Sequence, residues 1–131
     1  TSYAENVRAL HSAQKVGCSE AVFLNTSGWL CEGTGTNIFF VIAGNLVTPA
    51  LSSGCLAGIT RELIIEIAKV EELDLSLSDA NEASEAFLTS STRDVSPISS
   101  LGEIVFPEAP GPITKQVAKK FANLIASNPD P

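Results

Sequence analysis

The stretch of sequence that decides the fold consists of Glu32-Gly33-Thr34-Gly35-Thr36-Asn37-Ile38-Phe39, Leu46-Val47-Thr48 and Leu56-Ala57-Gly58-Ile59-Thr60-Arg61. It combines an isolated carboxylate, a Gly/Thr turn, an apolar strand and a Gly-Ile-Thr step that opens a helix. A carboxylate in apolar surroundings is costly unless a charged or hydrogen-bonding group meets it. The first N–H groups of a helix have no partner within the helix and suit a phosphate. The stretch therefore predicts one site that receives a cationic or N–H group at one end and an anion at the other.

The first half of the chain, which contains the start of this stretch, is predicted to consist mainly of β-strands. The predicted strands of the first half are residues 20–24, 29–32, 37–43 and 46–48. Period-2 geometry places Leu30 and Glu32 on the same face of their strand. The run from residue 37 to residue 43 is almost continuously apolar, which is typical of a strand buried on both faces.

The second half alternates helices with shorter strands. Its predicted elements are a helix at 59–69, a half-exposed strand at 73–77, a short helical turn capped by Ser78 and Asp79 and running to residue 83, strands at 85–89, 95–98 and 102–106, and a helix at 113–126. The helix at 59–69 is expected to turn these residues inward: Ile59, Leu63, Ile64, Ile67 and Ala68. A further helix is predicted at 1–16. The chain is therefore expected to be one domain, residues 1–131, of the α/β (α+β) class, with a mixed, mostly antiparallel sheet or pseudo-barrel and flanking helices.

Composition and charge exclude several classes of function. The 131 residues are 44% hydrophobic, which indicates a globular domain with a real core. The net charge of −7 and the lack of any Lys/Arg cluster argue against nucleic-acid and membrane partners. The three cysteines follow no CxxC spacing, which argues against a disulfide framework or a metal site. We expect reduced thiols and a cytoplasmic location.

In order and spacing, the opening stretch resembles the signature of the class IV aminotransferases. That family uses pyridoxal 5′-phosphate (PLP) and includes branched-chain and D-amino-acid aminotransferases and 4-amino-4-deoxychorismate lyases. The resemblance covers essentially the whole chain and implies the larger C-terminal domain of the family fold. It also implies PLP as the cofactor, an amino-acid-like small-molecule substrate and a homodimer.

Three segments favour the lyases within this family: residues 2–7, 30–35 and 92–95. Those enzymes release pyruvate from aminodeoxychorismate and leave 4-aminobenzoate. The alternative is an aminotransferase acting on branched-chain or D-amino acids.

The resemblance assigns roles residue by residue. Glu32 is expected to bond the pyridine nitrogen of PLP and keep it protonated, so that the ring accepts electrons from the substrate Cα. The cofactor-binding residues that the resemblance implies are Tyr3, Glu32, Gly35, Leu56, Gly58, Ile59, Thr60, Ser90 and Ser91. The substrate-binding residues that it implies are Ser91, Thr92 and Arg93. Taken alone, these features also allow simpler interpretations: an exposed edge charge, an ordinary helix cap, a solvated turn and a surface arginine.

The lysine that the family needs for covalent attachment of PLP is missing from the predicted site. Its position in the family falls just before Thr1. The lysines of this chain lie on predicted helices away from the motifs: Lys15, Lys69, Lys115, Lys119 and Lys120. We therefore predict no catalytic residue in this chain. We expect an inactive fragment that lacks the family's smaller N-terminal domain.

Two other classes of function stay open. An N-terminal-threonine hydrolase would use Thr1 as its nucleophile and the amine of Thr1 as its base. Such nucleophiles usually begin a strand, whereas Thr1 begins a helical pattern. The second class is a binding or assembly module without chemistry. A dinucleotide site is excluded because Ile38 stands where a GxGxxG motif needs glycine.

Overall fold

A computed structural model of the chain describes residues 21–92 and 94–127. The strands are β1 (Val22–Leu24), β2 (Leu30–Gly33), β3 (Asn37–Ile42), β4 (Asn45–Pro49), β5 (Val70–Leu73), β6 (Ala83–Ser90), β7 (Asp94–Pro97), β8 (Ser100–Leu101) and β9 (Ile104–Val105). The helices are α1 (Ile59–Ile67), α2 (Leu77–Ala80) and α3 (Pro112–Ser127), with a 3₁₀ turn at Leu51–Ser53. The helix predicted at 1–16, with Tyr3, lies outside the described residues, as does Arg93.

A five-stranded sheet in the order β5-β4-β3-β6-β7 forms the centre of the described structure. Strand β3 pairs antiparallel with β4 and β6, and β6 pairs antiparallel with β7. Strands β4 and β5, which α1 connects, are parallel. The pairs β1-β2 and β8-β9 form two separate hairpins. This mixed, mostly antiparallel arrangement with flanking helices confirms the predicted fold class.

Strand β3 lies at the middle of the sheet because both of its faces are apolar. Ile38 and Phe40 belong to one buried cluster, which the two hairpins and α2 cover. Phe39 and Val41 belong to the other, against α1 and α3. The ring of Phe39 stacks on that of Phe87 across the β3-β6 pair, with centroids 4.9 Å apart. The prediction of a strand buried on both faces is thus confirmed.

The strand predicted at 73–77 was wrong: β5 is Val70–Leu73. Parallel pairing with β4 sets its position, with Leu46 opposite Val70 and Pro49 opposite Leu73. The apparent alternation further on has another cause. Leu75 is buried in the core from a segment without regular structure, and Leu77 begins α2.

Two smaller predictions in this half were also wrong. Ser76, and not Ser78, caps α2. Its Oγ accepts a hydrogen bond from the Asp79 N–H at 3.1 Å, and Asp79 Oδ2 accepts one from the Ser76 N–H at 2.9 Å. This capping box satisfies N–H groups at the N-terminus of α2, and the helix ends at Ala80. The strand predicted at 102–106 is instead the short hairpin β8-β9, which turns at Gly102.

Helix α3 begins at a buried carboxylate. Glu85 of β6 accepts hydrogen bonds from the N–H groups of Thr114 at 2.7 Å and Ile113 at 3.2 Å. These are donors that the first turn of a helix leaves unpaired. A Cβ at Gly111 would lie 2.2 Å from the Glu85 carboxyl carbon, so only glycine fits beside this contact. The contact ties α3 to the central sheet.

Candidate functional site

A cavity of about 210 Å³ opens where two segments of the opening stretch, residues 32–37 and 56–60, meet the end of β6. The lining residues are Glu32, Gly35, Thr36, Asn37, Leu56, Gly58, Ile59, Thr60, Thr89, Ser90 and Ser91. Antiparallel pairing explains why distant segments meet here, because Asn37 at the start of β3 lies opposite Thr89 near the end of β6. Of the residues predicted for the site, the structure brings eight together: Glu32, Gly35, Leu56, Gly58, Ile59, Thr60, Ser90 and Ser91.

Glu32 lies in the cavity wall and is only 6% exposed. Leu30 is buried with it and Cys31 between them is half-buried, as the predicted alternation requires. Glu32 Oε1 accepts a hydrogen bond from the Leu56 N–H at 2.6 Å. Its other carboxylate oxygen has no partner among the described residues. Glu32 is therefore not an exposed edge charge, and it retains an acceptor for a ligand.

Helix α1 points its N-terminus at the same cavity. Its cap residue is Gly58, whose carbonyl accepts the first hydrogen bond of the helix from the Glu62 N–H at 3.0 Å. Because glycine has no side chain, no cap residue satisfies the remaining N–H groups of the first turn. In the described part of the chain, the N–H groups of Ile59, Thr60 and Arg61 find no acceptor. Together with the positive end of the helix dipole, these donors suit an anion.

Ile59 is an exception to the predicted inward face of α1. Its side chain is 74% exposed and lines the cavity, whereas Ile64 is fully buried. Its place in the cavity wall agrees with the predicted role of Ile59 in cofactor binding, and its helical spacing alone does not bury it. Leu56 is similarly exposed, at 73%. The mouth of the cavity is therefore apolar.

Arg61 is fully buried and does not line the cavity. Its guanidinium donates to the Pro49 carbonyl at 3.2 Å and to Glu72 Oε1 at 2.6 Å, and it also bonds the neighbouring Glu62. It thereby ties the start of α1 to the ends of β4 and β5. The residue that closes the signature has a structural role here.

The loop after β6 contributes only in part. Ser90 and Ser91 line the cavity, and Ser90 Oγ lies 3.2 Å from Thr92 Oγ1. Thr92 is exposed and does not line the cavity. Tyr3 and Arg93 lie outside the described residues. Substrate binding by Thr92 and Arg93, and cofactor binding by Tyr3, therefore stay predictions.

The predicted site omitted three residues that line the cavity: Thr36, Asn37 and Thr89. The hydroxyl oxygens of Thr36 and Thr89 are buried without a hydrogen-bond partner in the described part of the chain. Thr36 belongs to the Gly/Thr turn, which was a usable signal. Thr89 could be found only from the register of the β3-β6 pair, which cannot be read from the sequence.

The Cys31 thiol, next to Glu32 in β2, has a raised pKa. Burial raises the pKa, and the nearby Glu32 and Cys55 raise it further, while a hydrogen bond with Ser53 lowers it.

The described residues place no lysine and no metal cluster at the site. Their lysines are exposed, and none lines the cavity: Lys69, Lys115, Lys119 and Lys120. Within residues 21–92 and 94–127, no three His, Cys, Asp or Glu side chains form a metal cluster. The same residues contain no helix long and apolar enough to cross a membrane.

The family of the chain follows from its similarity to known proteins. The sequence model of a family described as amino-transferase class IV matches residues 1–101. The chain belongs to the class IV aminotransferases. The family assignment made from the opening stretch is thus confirmed, and with it membership of an enzyme family.

Similar class IV proteins share both the sequence and the fold. A probable branched-chain-amino-acid aminotransferase of Thermotoga maritima is 41% identical over 112 residues, which are 81% of this chain and 41% of that protein. A putative one of Methanocaldococcus jannaschii is 35% identical over 129 residues, or 94% of this chain and 45% of that protein. The branched-chain amino acid aminotransferase of Thermobaculum terrenum in its PLP form superposes with a TM-score of 0.92 and 35% identity, over 95% of this chain and 43% of that one. The chain thus spans less than half the length of these relatives.

Proposed function

We propose that this chain is the PLP-binding domain of a longer class IV aminotransferase that acts on branched-chain amino acids. The observation that carries the proposal is the cavity itself, which combines the Glu32 carboxylate with the unpaired N–H groups at the start of α1. These two features match the two ends of PLP, a protonated ring nitrogen and a phosphate. The fold supports the same cofactor, because it superposes on a relative in PLP form.

The residues present fit PLP. The free oxygen of Glu32 would accept the N–H of the pyridinium ring, and the amides of Ile59 and Thr60 would donate to the phosphate. The unpartnered hydroxyls of Thr36 and Thr89 are polar atoms that a ligand can satisfy, and leaving them unsatisfied costs free energy. When bound, PLP withdraws electrons from the Cα of an amino-acid substrate. In this chain, Glu32 is the residue that would keep the ring nitrogen protonated.

Transamination of branched-chain amino acids is better supported than the lyase reaction that the short sequence motifs favoured. The relatives and the solved structure reported above are named as branched-chain aminotransferases. The lyase is therefore the second outcome of the experiment below.

We propose that the lysine that binds PLP covalently and the rest of the substrate pocket belong to the part of the enzyme outside residues 1–131. Two facts support this: none of the lysines in the described residues lines the cavity, and the relatives are more than twice as long as the matched region. The family resemblance also leads us to propose a homodimer and an amino-acid-like substrate. A cytoplasmic location agrees with the free thiols of Cys31 and Cys55.

The decisive experiment uses the full-length protein. We expect bound PLP, detected by its absorbance, and formation of glutamate from 2-oxoglutarate with leucine, isoleucine or valine as amino donor. Formation of 4-aminobenzoate from aminodeoxychorismate without transamination would establish the lyase instead. A full-length protein that binds no PLP would overturn both candidates.

A further inference from the structure

Both backbone groups of Leu56 are held by side chains from the hairpin and the central sheet. The Leu56 N–H donates to Glu32 Oε1 at 2.6 Å, and the Leu56 carbonyl accepts from Asn37 Nδ2 at 2.8 Å. Leu56 lies outside every helix and strand, so these two bonds replace the bonds of regular structure. The loop before α1 is thereby fixed to β2 and β3 even though the Leu56 side chain is 73% exposed.

The same Asn37 amide explains why residue 58 is glycine. A Cβ at Gly58 would lie 2.4 Å from Asn37 Oδ1, far inside van der Waals contact. The bond from Asn37 Nδ2 to Leu56 holds the amide in place, so it cannot move aside without losing that bond. The Gly58 φ of −59° is open to any residue. Glycine is therefore required by space and not by backbone conformation, although serine, threonine and aspartate are the usual caps.

These contacts connect the two ends of the cavity through one side chain. Through the Leu56 carbonyl, Asn37 determines where the Leu56 N–H meets Glu32, at the end proposed for the ring nitrogen. Through the packing against Gly58, it determines where α1 begins, at the end proposed for the phosphate. Asn37 itself is mostly buried and begins β3, a strand in which every residue but Ile42 is buried.

We propose that Asn37 is a positioning residue that sets the spacing between the Glu32 carboxylate and the N-terminus of α1. The proposal rests on the proposed function, since that spacing matters to a ligand that uses both ends. The distance of 2.4 Å between a Cβ at Gly58 and Asn37 Oδ1 predicts that substitutions at the two positions are not additive. Coupling between the two residues is therefore the property to measure.

The test is a double-mutant cycle in the full-length protein with Asn37→Ala, Gly58→Ala and the double variant. The first measurement is the dissociation constant of PLP from its absorbance. We expect Asn37→Ala to weaken binding by about three- to tenfold, the range for one lost hydrogen bond. We expect Gly58→Ala to weaken it at least as much, because the new methyl group displaces the amide. The double variant should be no weaker than the worse single variant, because it has no amide left to displace.

A second measurement separates positioning from a general loss of structure. The pH titration of the bound PLP absorbance should shift in Asn37→Ala, because the Leu56 N–H that holds Glu32 is no longer fixed. Asn45→Ala, an exposed amide at the start of β4, is the matched control and should change neither quantity.

The outcomes distinguish this proposal from the proposed function. A wild-type protein that binds no PLP overturns both. A wild-type protein that binds PLP, with losses in the two single variants that multiply in the double variant, overturns only the positioning role. If Gly58→Ala does not fold, the double variant decides: a folded double variant supports the clash with Asn37, and an unfolded one refutes it.

Discussion

Two buried glutamates of this chain show how the same residue type takes different roles. Glu85 is 1% exposed and both of its carboxylate oxygens accept N–H groups at the start of α3. Glu32 is almost as buried, but only one of its oxygens has a partner among the described residues and it lies in a cavity wall. A buried carboxylate whose acceptors are all used stabilises the fold, whereas one with a free acceptor beside a cavity is available to a ligand.

Glu32→Gln in the full-length enzyme tests that availability. Glutamine keeps an oxygen that can accept from the Leu56 N–H, so the fold should survive. It removes the negative charge that, in the proposed function, would keep the ring nitrogen protonated. We expect PLP to remain bound while kcat for transamination falls by about 10²-fold or more, the range for loss of one electrostatic contact in an active site. Glu103→Gln, an exposed glutamate between β8 and β9, is the control. An unchanged kcat in Glu32→Gln would contradict the role.

Cys31 provides a pH-dependent report on the same region. Burial, followed by the nearby charge of Glu32, raises its pKa, so at a given pH a smaller fraction is thiolate than in an ordinary cysteine. Alkylation of Cys31 by iodoacetamide, followed by mass spectrometry of its peptide, should therefore have its pH midpoint above that of a model peptide. Glu32→Gln should lower this midpoint, and Ser53→Ala, which removes a hydrogen bond that lowers the pKa, should raise it. A midpoint at or below that of the peptide would contradict the expectation.

At the scale of elements, pairing determines what local pattern leaves ambiguous. The segment from Lys69 to Leu77 contains several alternating apolar residues, and the local pattern places a strand at 73–77. The parallel ladder with β4 instead selects Val70–Leu73, because α1 returns the chain beside Leu46. A strand paired only on one side, at the edge of the sheet, shows little burial of its own to mark it.

Helix α3 depends on a contact that also spans distant elements. Glu85→Ala leaves the N–H groups of Ile113 and Thr114 without their acceptor, and we expect the free energy of unfolding to fall by about 2–3 kcal/mol. Chemical denaturation measures the loss. Glu82→Ala, an exposed glutamate just before β6, should stay within about 0.5 kcal/mol of wild type. Equal losses in the two variants would show that the carboxylate does not cap α3.

At the scale of the whole molecule, the sheet is covered on both faces while the cavity mouth is not. The two buried clusters lie on opposite faces of β3. Leu56 and Ile59 nevertheless expose about three quarters of their side chains beside the cavity. Exposed apolar residues that lie together favour association with another surface. In the longer relatives, more than half of the protein lies outside the matched region.

This exposure predicts self-association of the isolated 131-residue chain. Replacing both residues, Leu56→Ser and Ile59→Ser, should lower the associated fraction in sedimentation experiments and leave Tm nearly unchanged, because neither side chain is buried. Val105→Ser, which changes a residue 72% exposed on β9, is the matched control and should leave association unaltered. Equal effects of the control and the double variant would show that the cavity mouth is not the associating surface.

The sequence by itself determined the class of fold, the family and most of the cavity wall. The apolar run of β3 has to be buried on both faces. The predicted site residues fall in short segments, such as Glu32 with Gly35 and Gly58 with Thr60, and the geometry within each segment is local. Strand alternation also placed Glu32 correctly beside Leu30.

Only the tertiary structure decided which residues distant in the chain come into contact. It placed Thr89 opposite Asn37, joined the Leu56 N–H to Glu32, and set the Asn37 amide in the space that a Cβ at Gly58 would fill. It also put Ile59 at the cavity mouth although its spacing fits the inner face of α1. These contacts join residues that are far apart in the chain, and their distances depend on strand register and helix placement. Local propensity and periodicity contain no information about either.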